Sequence, residues 1–405
     1  MSTNPNPLRD GPILPDQICR QIDRLCGRSW RARPASELAF SESSVWCIEL
    51  PADSFSSGFE STKGLATGSE HLWRPAFAIK RSPSESADKL RSIHRYLQWL
   101  TRQPGLDLVS VGPIRRSIVP RLIAWPIPSS DQTPTLLVVA APHRDAALEG
   151  SCWEWIEWRD GQPLPSIDDV NADQLTAVAR TLGTLHRVSR EWSPYSNQSP
   201  SSGDHRFQQR VDRLKLGIQT RFRLQQEAIE SLTRTTPGAL CELLGRGLSL
   251  AIEQAPLLES PLMELHRQNK DSHWCHGDAW RGNWLFRGRE LVGLIDFAQA
   301  DVYWPGFDVA RAFGSMIAPR GRGKSSSNSD SQSTKWEEAW DSYRHAHPNS
   351  ELNLDEIRLM HRVSTLLSLV NYIDQAGRAP LDSLPTAWLG RVDEITEHLE
   401  AMATE

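Results

Sequence analysis

The sequence lacks the features that would tie it to a membrane or to nucleic acid. It contains no apolar run near the ~18 residues that a membrane-spanning helix needs. The N-terminal stretch MSTNPNPLRDGPILPD has no apolar segment of the kind found in signal peptides. The 45 basic and 50 acidic residues give a formal charge of -5, whereas nucleic-acid-binding domains usually carry a basic excess. These absences predict a globular protein that binds neither membranes nor nucleic acid.

Cysteine is scarce as well. The six cysteines lie at positions 19, 26, 47, 152, 241 and 275, and no two have the C-x-x-C spacing of redox and zinc motifs. A chain of 405 residues can bury a sufficient hydrophobic core without disulfides. We therefore expect a reduced, cytoplasmic protein without a structural zinc site.

The strand and helix patterns divide the chain into two regions. At 405 residues with 39% hydrophobic and 23% charged residues, it can form two domains or one two-lobed domain. Residues 15–158 are rich in β-like runs, and residues 159–405 are rich in amphipathic helical patterns. A disordered tail is predicted for residues 1–14. Mobile loops are predicted at about 193–206 and 319–335, where Ser and other small or polar residues dominate.

The first region is predicted to contain a set of strands and two helices. The predicted strands are Ser36–Phe40, Val45–Leu50, Ala76–Arg81, Arg121–Trp125, Thr135–Ala141 and Cys152–Trp158. The predicted helices are Asp16–Cys26 and Ser84–Arg102. In the second region the periodicity predicts helices at Asp173–Arg190, 207–233, 238–269, Trp336–His345, Leu354–Ala376 and Pro385–Met402.

The stretch from His276 to Asp308 is the most informative part of the sequence. Its opening, HGDAWRGN, has the spacing of the kinase catalytic loop H-R-D-x-x-x-x-N, with Gly277 in place of the Arg. A predicted hairpin follows, and its second strand delivers Asp296 at its end. A base on the entry loop and two oxygen ligands close by are what metal-assisted phosphoryl transfer needs.

HGDxxxxN, followed by LIDFxxA and by an FDVAR segment, resembles the aminoglycoside phosphotransferase and choline kinase branch of the kinase-like fold. The resemblance implies an α+β, bilobal protein-kinase-like fold. The N-terminal lobe would hold an antiparallel β-sheet and the C-terminal lobe would be mainly helical. It also implies an ATP-dependent kinase of small molecules that uses Mg²⁺.

The resemblance assigns roles to the polar residues of this stretch. Asp278 would orient the acceptor hydroxyl and accept its proton, and Asn283 and Asp296 would bind Mg²⁺. His276 would complete the catalytic loop by bracing it through hydrogen bonds. Asp308 would tie the loop backbone together, although a charge in the first turn of a helix explains it equally well.

Residues of the first region would bind the nucleotide. Ala76–Arg81 resembles the V-A-I-K strand, so Lys80 would contact the α- and β-phosphates, with Arg81 as the second candidate. The turn with Ser41, Ser43 and Ser44 stands where the family places its phosphate-covering loop, but it has no glycine.

Two further features of the nucleotide region follow from the same resemblance. The backbone of Glu157, Trp158 and Arg159 would form the hinge that hydrogen-bonds adenine. The helix after Lys80 should supply a carboxylate to pair with it. Its acids are Glu85 and Asp88, whereas family members usually carry the Glu further along, near where His94 sits.

The sequence leaves the acceptor and two rival functions open. Acceptors in the family include aminoglycosides, choline and homoserine, and we predict a hydroxyl-bearing small molecule of this range. A pseudokinase is favoured by the glycine-free loop and opposed by the presence of Lys80, Asp278, Asn283 and Asp296 together. A metal-dependent hydrolase would use His276 and Asp278 as ligands, but it needs further ligands at suitable spacing. The oligomeric state is not predicted.

Overall fold

The structure is a computed structural model in which the chain forms two compact units. It describes residues 14–26, 30–34, 44–51, 73–83, 87–107, 117–124, 135–139, 151–192, 208–209, 211–215, 227, 239–268, 271–318, 329–376 and 386–403. The first unit comprises residues 1–161 together with 292–294, and the second comprises 162–291 and 295–405. The division thus falls at Gly161, where the sequence predicts it at Trp158.

The first unit is built on a five-stranded antiparallel sheet with strand order β1-β2-β3-β5-β4. Its elements are α1 (Asp16–Cys26), β1 (Arg31–Pro34), β2 (Ser44–Pro51), β3 (Trp73–Pro83), α2 (Ala87–Leu100), β4 (Leu136–Val139) and β5 (Ser151–Glu157). Strands β4 and β5 correspond to the predicted strands Thr135–Ala141 and Cys152–Trp158, and they pair in antiparallel register.

One face of this sheet is covered by helix α1. Ile18 and Ile22 of the helix are fully buried against a cluster that includes Trp46, Ile79 and Trp155. The strand residues alternate between the two faces of the sheet, so each strand contributes every second side chain to this core. Aromatic and β-branched residues fill such a pleated, half-buried surface well. The amphipathic pattern of α1 therefore reflects its position on the sheet.

Two of the strands predicted for this region are not among the five strands of the sheet. Arg121–Trp125 was expected to be a strand, but its described part, residues 121–124, pairs with β5 only through a single antiparallel bridge, between Leu122 and Ile156. Pro120 lies next to this segment, and proline cannot donate to a strand ladder, so pairing does not extend. Ser36–Phe40 lies outside the described residues.

The second unit is mainly helical. Its elements, together with the β9 strand whose end is grouped with the first unit, are β6 (Gln162–Pro163), α3 (Ala172–Ser189), α4 (Ala239–Arg267), β7 (His273–Cys275), β8 (Trp284–Arg287), β9 (Glu290–Leu294), β10 (Asp301–Tyr303), α5 (Gly306–Met316), α6 (Ser329–Ala346), α7 (Leu354–Ala376) and α8 (Thr386–Ala403). The antiparallel sheet followed by a mostly helical part confirms the predicted fold class.

Several predicted segments lie largely outside the described residues, among them the helix predicted at 207–233, of which 208–209, 211–215 and 227 are described. Of the tail predicted at 1–14 only Leu14 is described, and it is buried. The loop predicted at 193–206 lies outside them entirely. The loop predicted at 319–335 is partly wrong, because α6 begins at Ser329. Among the described helices none is long and apolar enough to cross a membrane.

Helix α3 begins with a reciprocal pair of side-chain caps. The Asn171 side chain accepts from the Gln174 backbone N–H at 3.0 Å, and the Gln174 side chain accepts from the Asn171 N–H at 3.1 Å. Such a capping box satisfies two backbone donors that the first turn of a helix otherwise leaves without partners.

Replacing Asn171 with Ala should destabilise the protein by about 1 kcal/mol, because the Gln174 N–H loses its acceptor. The measurement is the thermal melting curve of the purified protein. Asn171→Asp is the matched control, since its carboxylate can still cap the helix, and it should melt close to the wild type. Equal melting of the Ala variant and the wild type would contradict the capping role.

Candidate active site

The predicted catalytic loop leaves β7 and closes against the segment that follows β9. Strand β7 pairs with β10 in antiparallel register. The loop then passes through a 3₁₀ turn at Arg281–Asn283 into β8. The Ile295 N–H donates to the Asn283 carbonyl at 2.9 Å. This bond joins the two parts of the motif, so Asn283 lies beside the residue that precedes Asp296.

Asp308 holds the start of the catalytic loop. Its carboxylate accepts from the backbone N–H of His276 at 2.7 Å and from that of Gly277 at 2.8 Å. His186, which is fully buried on α3, contacts the same carboxylate at 3.4 Å. Burial works to raise the pKa of Asp308, but these hydrogen bonds and the nearby His186 lower it overall. Asp308 therefore stays charged and fixes the loop backbone.

Gly277 is required by the shape of the loop. Its φ of 89° lies in the left-handed region, which residues with a side chain rarely adopt. A Cβ at this position would stand 2.2 Å from the Gln299 carbonyl oxygen and 2.4 Å from the Tyr303 hydroxyl. The arginine of the kinase motif could not fit here, which explains the glycine in its place.

His276 braces the loop with both ring nitrogens. Nε2 donates to the Ile295 carbonyl at 2.9 Å, and Nδ1 accepts from the Asp278 backbone N–H at 3.2 Å. One nitrogen donates and the other accepts, so the ring is the neutral imidazole with its proton on Nε2. Both ring nitrogens are thus already engaged in hydrogen bonds, which argues against the hydrolase in which His276 would be a metal ligand.

Asp278 and Asn283 lie in direct contact. The Asn283 Nδ2 donates to the Asp278 carbonyl at 2.7 Å and lies 3.5 Å from its Oδ2. The other carboxylate oxygen, Oδ1, accepts from the Arg311 Nε at 3.1 Å. The Asp278 side chain is about a third exposed, so it is held in place and still reachable from solvent.

Asp296 occupies an unusual backbone conformation. It has φ 61° and ψ 64°, the left-handed region, and it precedes a 3₁₀ turn at Phe297–Gln299. Asp and Asn tolerate this region better than other residues with a side chain, and such conformations are common at functional sites. The residue is exposed. The turn thus presents a carboxylate at the end of β9, as the sequence predicts.

The donor set fits a hard divalent cation such as Mg²⁺. The Asn283 amide donates through Nδ2 to Asp278, which leaves its Oδ1 as the atom for a metal. Asp296 supplies a carboxylate. Mg²⁺ prefers oxygen ligands and keeps several waters, so one amide and one carboxylate suffice.

Sequence reasoning missed the anchor of the catalytic loop at Arg281. Its buried guanidinium forms a bidentate pair with Glu394 of α8, at 2.6 and 2.7 Å. The Arg281 backbone N–H also donates to the Ser315 hydroxyl of α5 at 2.8 Å. The sequence gives no signal for the partners, because Glu394 lies far along the chain in a helix with several acids. Arg311 was likewise noted only as part of a helix start.

In the first unit, Lys80 is buried in the middle of the sheet. It lies on β3, opposite Val45 on β2 and Glu154 on β5. Arg81, the second candidate, lies 5.9 Å from the centre of the Trp153 ring. Ser41 and Ser43 lie outside the described residues, and Ser44 is the first residue of β2.

The predicted hinge has part of its backbone already engaged. The Glu157 N–H donates to Arg121 O at 2.8 Å, and the Trp158 N–H donates to Ala76 O at 3.2 Å. The Arg159 side chain is buried and donates to Ser117 O at 2.7 Å.

The carboxylate expected on α2 is not found where the sequence places it. Asp88 is 97% exposed and pairs with Arg91, and Glu85 lies outside the described residues. The buried face of the helix instead presents His94, whose Nε2 lies 2.7 Å from Glu154 Oε1. Of the two acids that the sequence leaves open as partners of Lys80, the described one, Asp88, therefore faces solvent.

Solved structures with this arrangement of elements are kinases of small molecules. Amicoumacin kinase hAmiN superposes with a TM-score of 0.51 at 11% identity, covering 96% of each chain. An aminoglycoside phosphotransferase from Alicyclobacillus acidocaldarius gives 0.51 at 13% identity, covering 98% of this chain and 97% of the other. Spectinomycin phosphotransferase APH(9)-Ia gives 0.50 at 11% identity, covering 98% and 100%. At such identities these likenesses show the kinase-like fold alone.

The sequence itself narrows the class. Residues 53–345, more than half of the chain, match the model of the phosphotransferase enzyme family, APH, and the chain therefore belongs to that family. The class of small-molecule phosphotransferases that the sequence resembles is thus confirmed. No curated protein sequence matches the chain significantly.

Gly277→Ala should abolish turnover and lower the melting temperature, because a Cβ would collide with backbone and the left-handed conformation is strained. Gly288→Ala is the matched control, since Gly288 also has positive φ but has open space around it. We expect the control to lose far less activity. The comparison of ADP release by the two variants checks the steric reason, and equal losses would contradict it.

The Arg281–Glu394 anchor should give the protein a defined acid sensitivity. Burial works to raise the pKa of Glu394, but Arg281 and Arg391 lower it from 4.5 to about 2. A carboxyl with a depressed folded pKa stabilises the protein above its unfolded pKa, and this stabilisation is lost as pH falls from 4.5 towards 2. The shift corresponds to on the order of 3 kcal/mol.

Glu394→Gln should therefore melt well below the wild type at pH 7, and the gap should narrow as pH falls from 5 towards 2. Melting curves over this range test it, with Glu351→Gln on an exposed loop as control. A gap that is independent of pH would rule out the charged pair as its cause.

Proposed function

We propose that this protein is an ATP-dependent phosphotransferase that moves the γ-phosphoryl group to a hydroxyl of a small molecule. The observation that carries the proposal is the catalytic loop. In it, Asp278 is fixed by Asn283 and Arg311 and still reachable from solvent. Family membership supports the reaction class.

Asp278 acts on the acceptor in this proposal. Its carboxylate accepts a hydrogen bond from the attacking hydroxyl and then takes its proton as the bond to phosphorus forms. Arg311 holds Oδ1, so Oδ2 is the oxygen that faces the acceptor. His276 and Asp308 take no part in proton transfer; they hold the loop that carries Asp278.

Asn283 Oδ1 and the Asp296 carboxylate would hold Mg²⁺, which neutralises phosphate charge when it is bound. The left-handed conformation of Asp296 supports this role, because it fixes where the carboxylate leaves the chain. Lys80 would contact the non-transferred phosphates, with Ser41, Ser43 and Ser44 covering them. The backbone of Glu157, Trp158 and Arg159 would bind adenine.

The acceptor in this proposal is a hydroxyl compound of the aminoglycoside, choline or homoserine kind. The hAmiN structure contains AMP-PNP, Ca²⁺ and Ami, and that of APH(9)-Ia contains ADP and spectinomycin. Nucleotide and small-molecule binding by proteins of this fold supports the proposal. A cytoplasmic location suits an enzyme that consumes ATP and has free cysteines at 19, 26, 47, 152 and 275.

The Asp278→Asn and Asp296→Asn variants should each lower kcat by about 100-fold or more, because the first loses the proton acceptor and the second a metal ligand. ADP release with Mg·ATP and a panel of hydroxyl acceptors is the measurement. Glu290→Gln removes an exposed carboxylate from the same hairpin and should keep full turnover. Full activity of Asp278→Asn would remove the base assignment.

Nucleotide binding separates this function from a pseudokinase. The wild-type melting temperature should rise with ATP and Mg²⁺, and Asp278→Asn should show the same rise without turnover. A rise in the melting temperature of the wild type without turnover on the whole panel would favour the pseudokinase. The absence of glycine from the turn at residues 41–44 also favours that function. No rise at all would overturn both functions.

A further inference from the structure

A cavity in the second unit lies beside the catalytic carboxylate. It is enclosed by α5, α7 and α8, and its lining includes Arg311, His361, Ser364, Ser368 and Arg391. Arg311 joins it to the site, because its Nε contacts Asp278 at 3.1 Å while its NH1 contacts the Ser368 hydroxyl at 3.4 Å. The side chain of Arg311 therefore connects this cavity to the catalytic carboxylate.

The charges around this cavity are unbalanced towards positive. Among the described residues that line it, the single carboxylate is Glu394. This carboxylate is already shared by two guanidiniums: Arg281 at 2.6 and 2.7 Å, and Arg391 at 2.5 Å. The group formed by Arg281, Arg391 and Glu394 therefore carries a net charge of one positive unit. Among the residues that the structure describes, Arg311 forms its ion pair with Asp278.

The pKa of His361, which lines the cavity, is lowered in part by the same positive charges. Burial lowers the pKa of His361 well below its usual value, and the charges of His398, Arg311, Arg391 and Arg362 lower it further. A second cation would be repelled in this place. The described lining includes no Trp, Tyr or Phe side chain that could form a cage for a quaternary ammonium group. It offers guanidinium and hydroxyl donors, which suit oxyanions.

We propose that this cavity binds the acceptor, and that the acceptor is a hydroxyl compound carrying a carboxylate or a phosphate. The inference rests on the proposed function and narrows its acceptor class, since polycations and choline do not suit the cavity. Arg391 is the residue that holds the oxyanion. Its guanidinium lies 5.2 Å from the centre of the Trp280 ring, which fixes its plane.

Three probes with the same carbon skeleton test the charge preference: gluconate, sorbitol and glucamine, which end in a carboxylate, a hydroxyl and an ammonium group. Binding is measured calorimetrically without nucleotide, at constant ionic strength. We expect gluconate to bind at least tenfold more tightly than sorbitol, and glucamine not to bind. Gluconate no tighter than sorbitol, or a preference for glucamine, would overturn the proposal.

Variants of the cavity test its location. Arg391→Gln should weaken gluconate binding at least tenfold, and Arg391→Lys should weaken it less. Arg358→Gln, on α7 outside the cavity, is the control. Ser364→Asp adds a carboxylate to the lining and should abolish gluconate binding even if Arg391→Gln fails to fold. Unchanged binding in a folded Arg391→Gln or in Ser364→Asp would overturn the proposal. Because ATP is absent, failure of phosphoryl transfer in the separate ADP assay is distinguishable from failure here.

A different observation, in the first unit, concerns the carboxylate that lies next to Lys80. Lys80 on β3 lies directly opposite Glu154 on β5. Directly opposite residues of antiparallel strands have their side chains on the same face, with Cβ atoms ~4.5–5.5 Å apart. Both residues are buried. The sheet register thus brings a carboxylate to the lysine without any contribution from a helix.

Helix α2 contributes the support for that carboxylate. Fully buried His94 contacts Glu154 Oε1 through Nε2 at 2.7 Å, and its Nδ1 lies 2.7 Å from the Thr135 hydroxyl. A carboxylate can accept at both oxygens, and His94 uses one. We infer that Glu154 is the positioning residue that orients the Lys80 ammonium towards the nucleotide phosphates, with His94 fixing Glu154.

Kinetics of Glu154→Gln test this second inference, which also rests on the proposed function. Losing the charge should reduce kcat/KM for Mg·ATP about tenfold or more. The double variant His94→Glu/Glu154→Gln moves the carboxylate to the helix and should recover part of the loss, which a merely structural role would not predict. Asp16→Asn, an exposed acid on α1, is the control.

Full activity of Glu154→Gln, together with an inactive Glu85→Gln, would overturn this assignment in favour of the helix acid. Equal losses in the single and the double variant would also count against it. ATP affinity is measured beside turnover. A wild type that binds ATP without turnover refutes the proposed reaction while the affinity of Glu154→Gln still reports on Lys80.

Discussion

The arrangement of the site depends on one buried carboxylate, that of Asp308. It accepts hydrogen bonds from two consecutive backbone N–H groups, those of His276 and Gly277. Burying a carboxylate without such donors would cost much free energy of folding. Without the carboxylate, the two backbone N–H groups would lack a hydrogen-bond acceptor in the interior. Removing either the carboxylate or its two donors therefore releases the loop that carries Asp278. The left-handed Gly277 is the local consequence, because the chain must turn sharply to bring both N–H groups to one acceptor.

A second set of contacts ties the loop to the C-terminal helix. The bidentate pair of Arg281 and Glu394 joins residues that are far apart in sequence and is shared by Arg391. Breaking one partner of such a buried pair is costly, because an uncompensated charge stays behind. The same arginines leave the neighbouring cavity positively charged. If the cavity binds the acceptor as we propose, anchoring of the catalytic loop and selection of the acceptor depend on one cluster of charges.

In the first unit, the register of the strands places a carboxylate next to a buried lysine. Residue Lys80 lies opposite Glu154 because of the way β3 and β5 pair, and His94 reaches the same carboxylate from α2. The sequence places an imidazole where related proteins usually carry the glutamate. We propose that Glu154, which the register brings opposite Lys80, takes the place of that acid. The helix retains its packing role through its buried apolar face.

The sequence alone determined the reaction class, the candidate base and metal ligands, and most of the helices, because motif spacing and apolar periodicity are local properties. Asp278 and Asn283, for example, are joined by a short loop whose length sets their contact. Only the tertiary structure decided which distant residues support them. The partners of Arg281, His94 and Arg311 come from other helices and strands. Packing chooses these contacts from many equivalent acids and arginines, so no pattern in the chain can predict them.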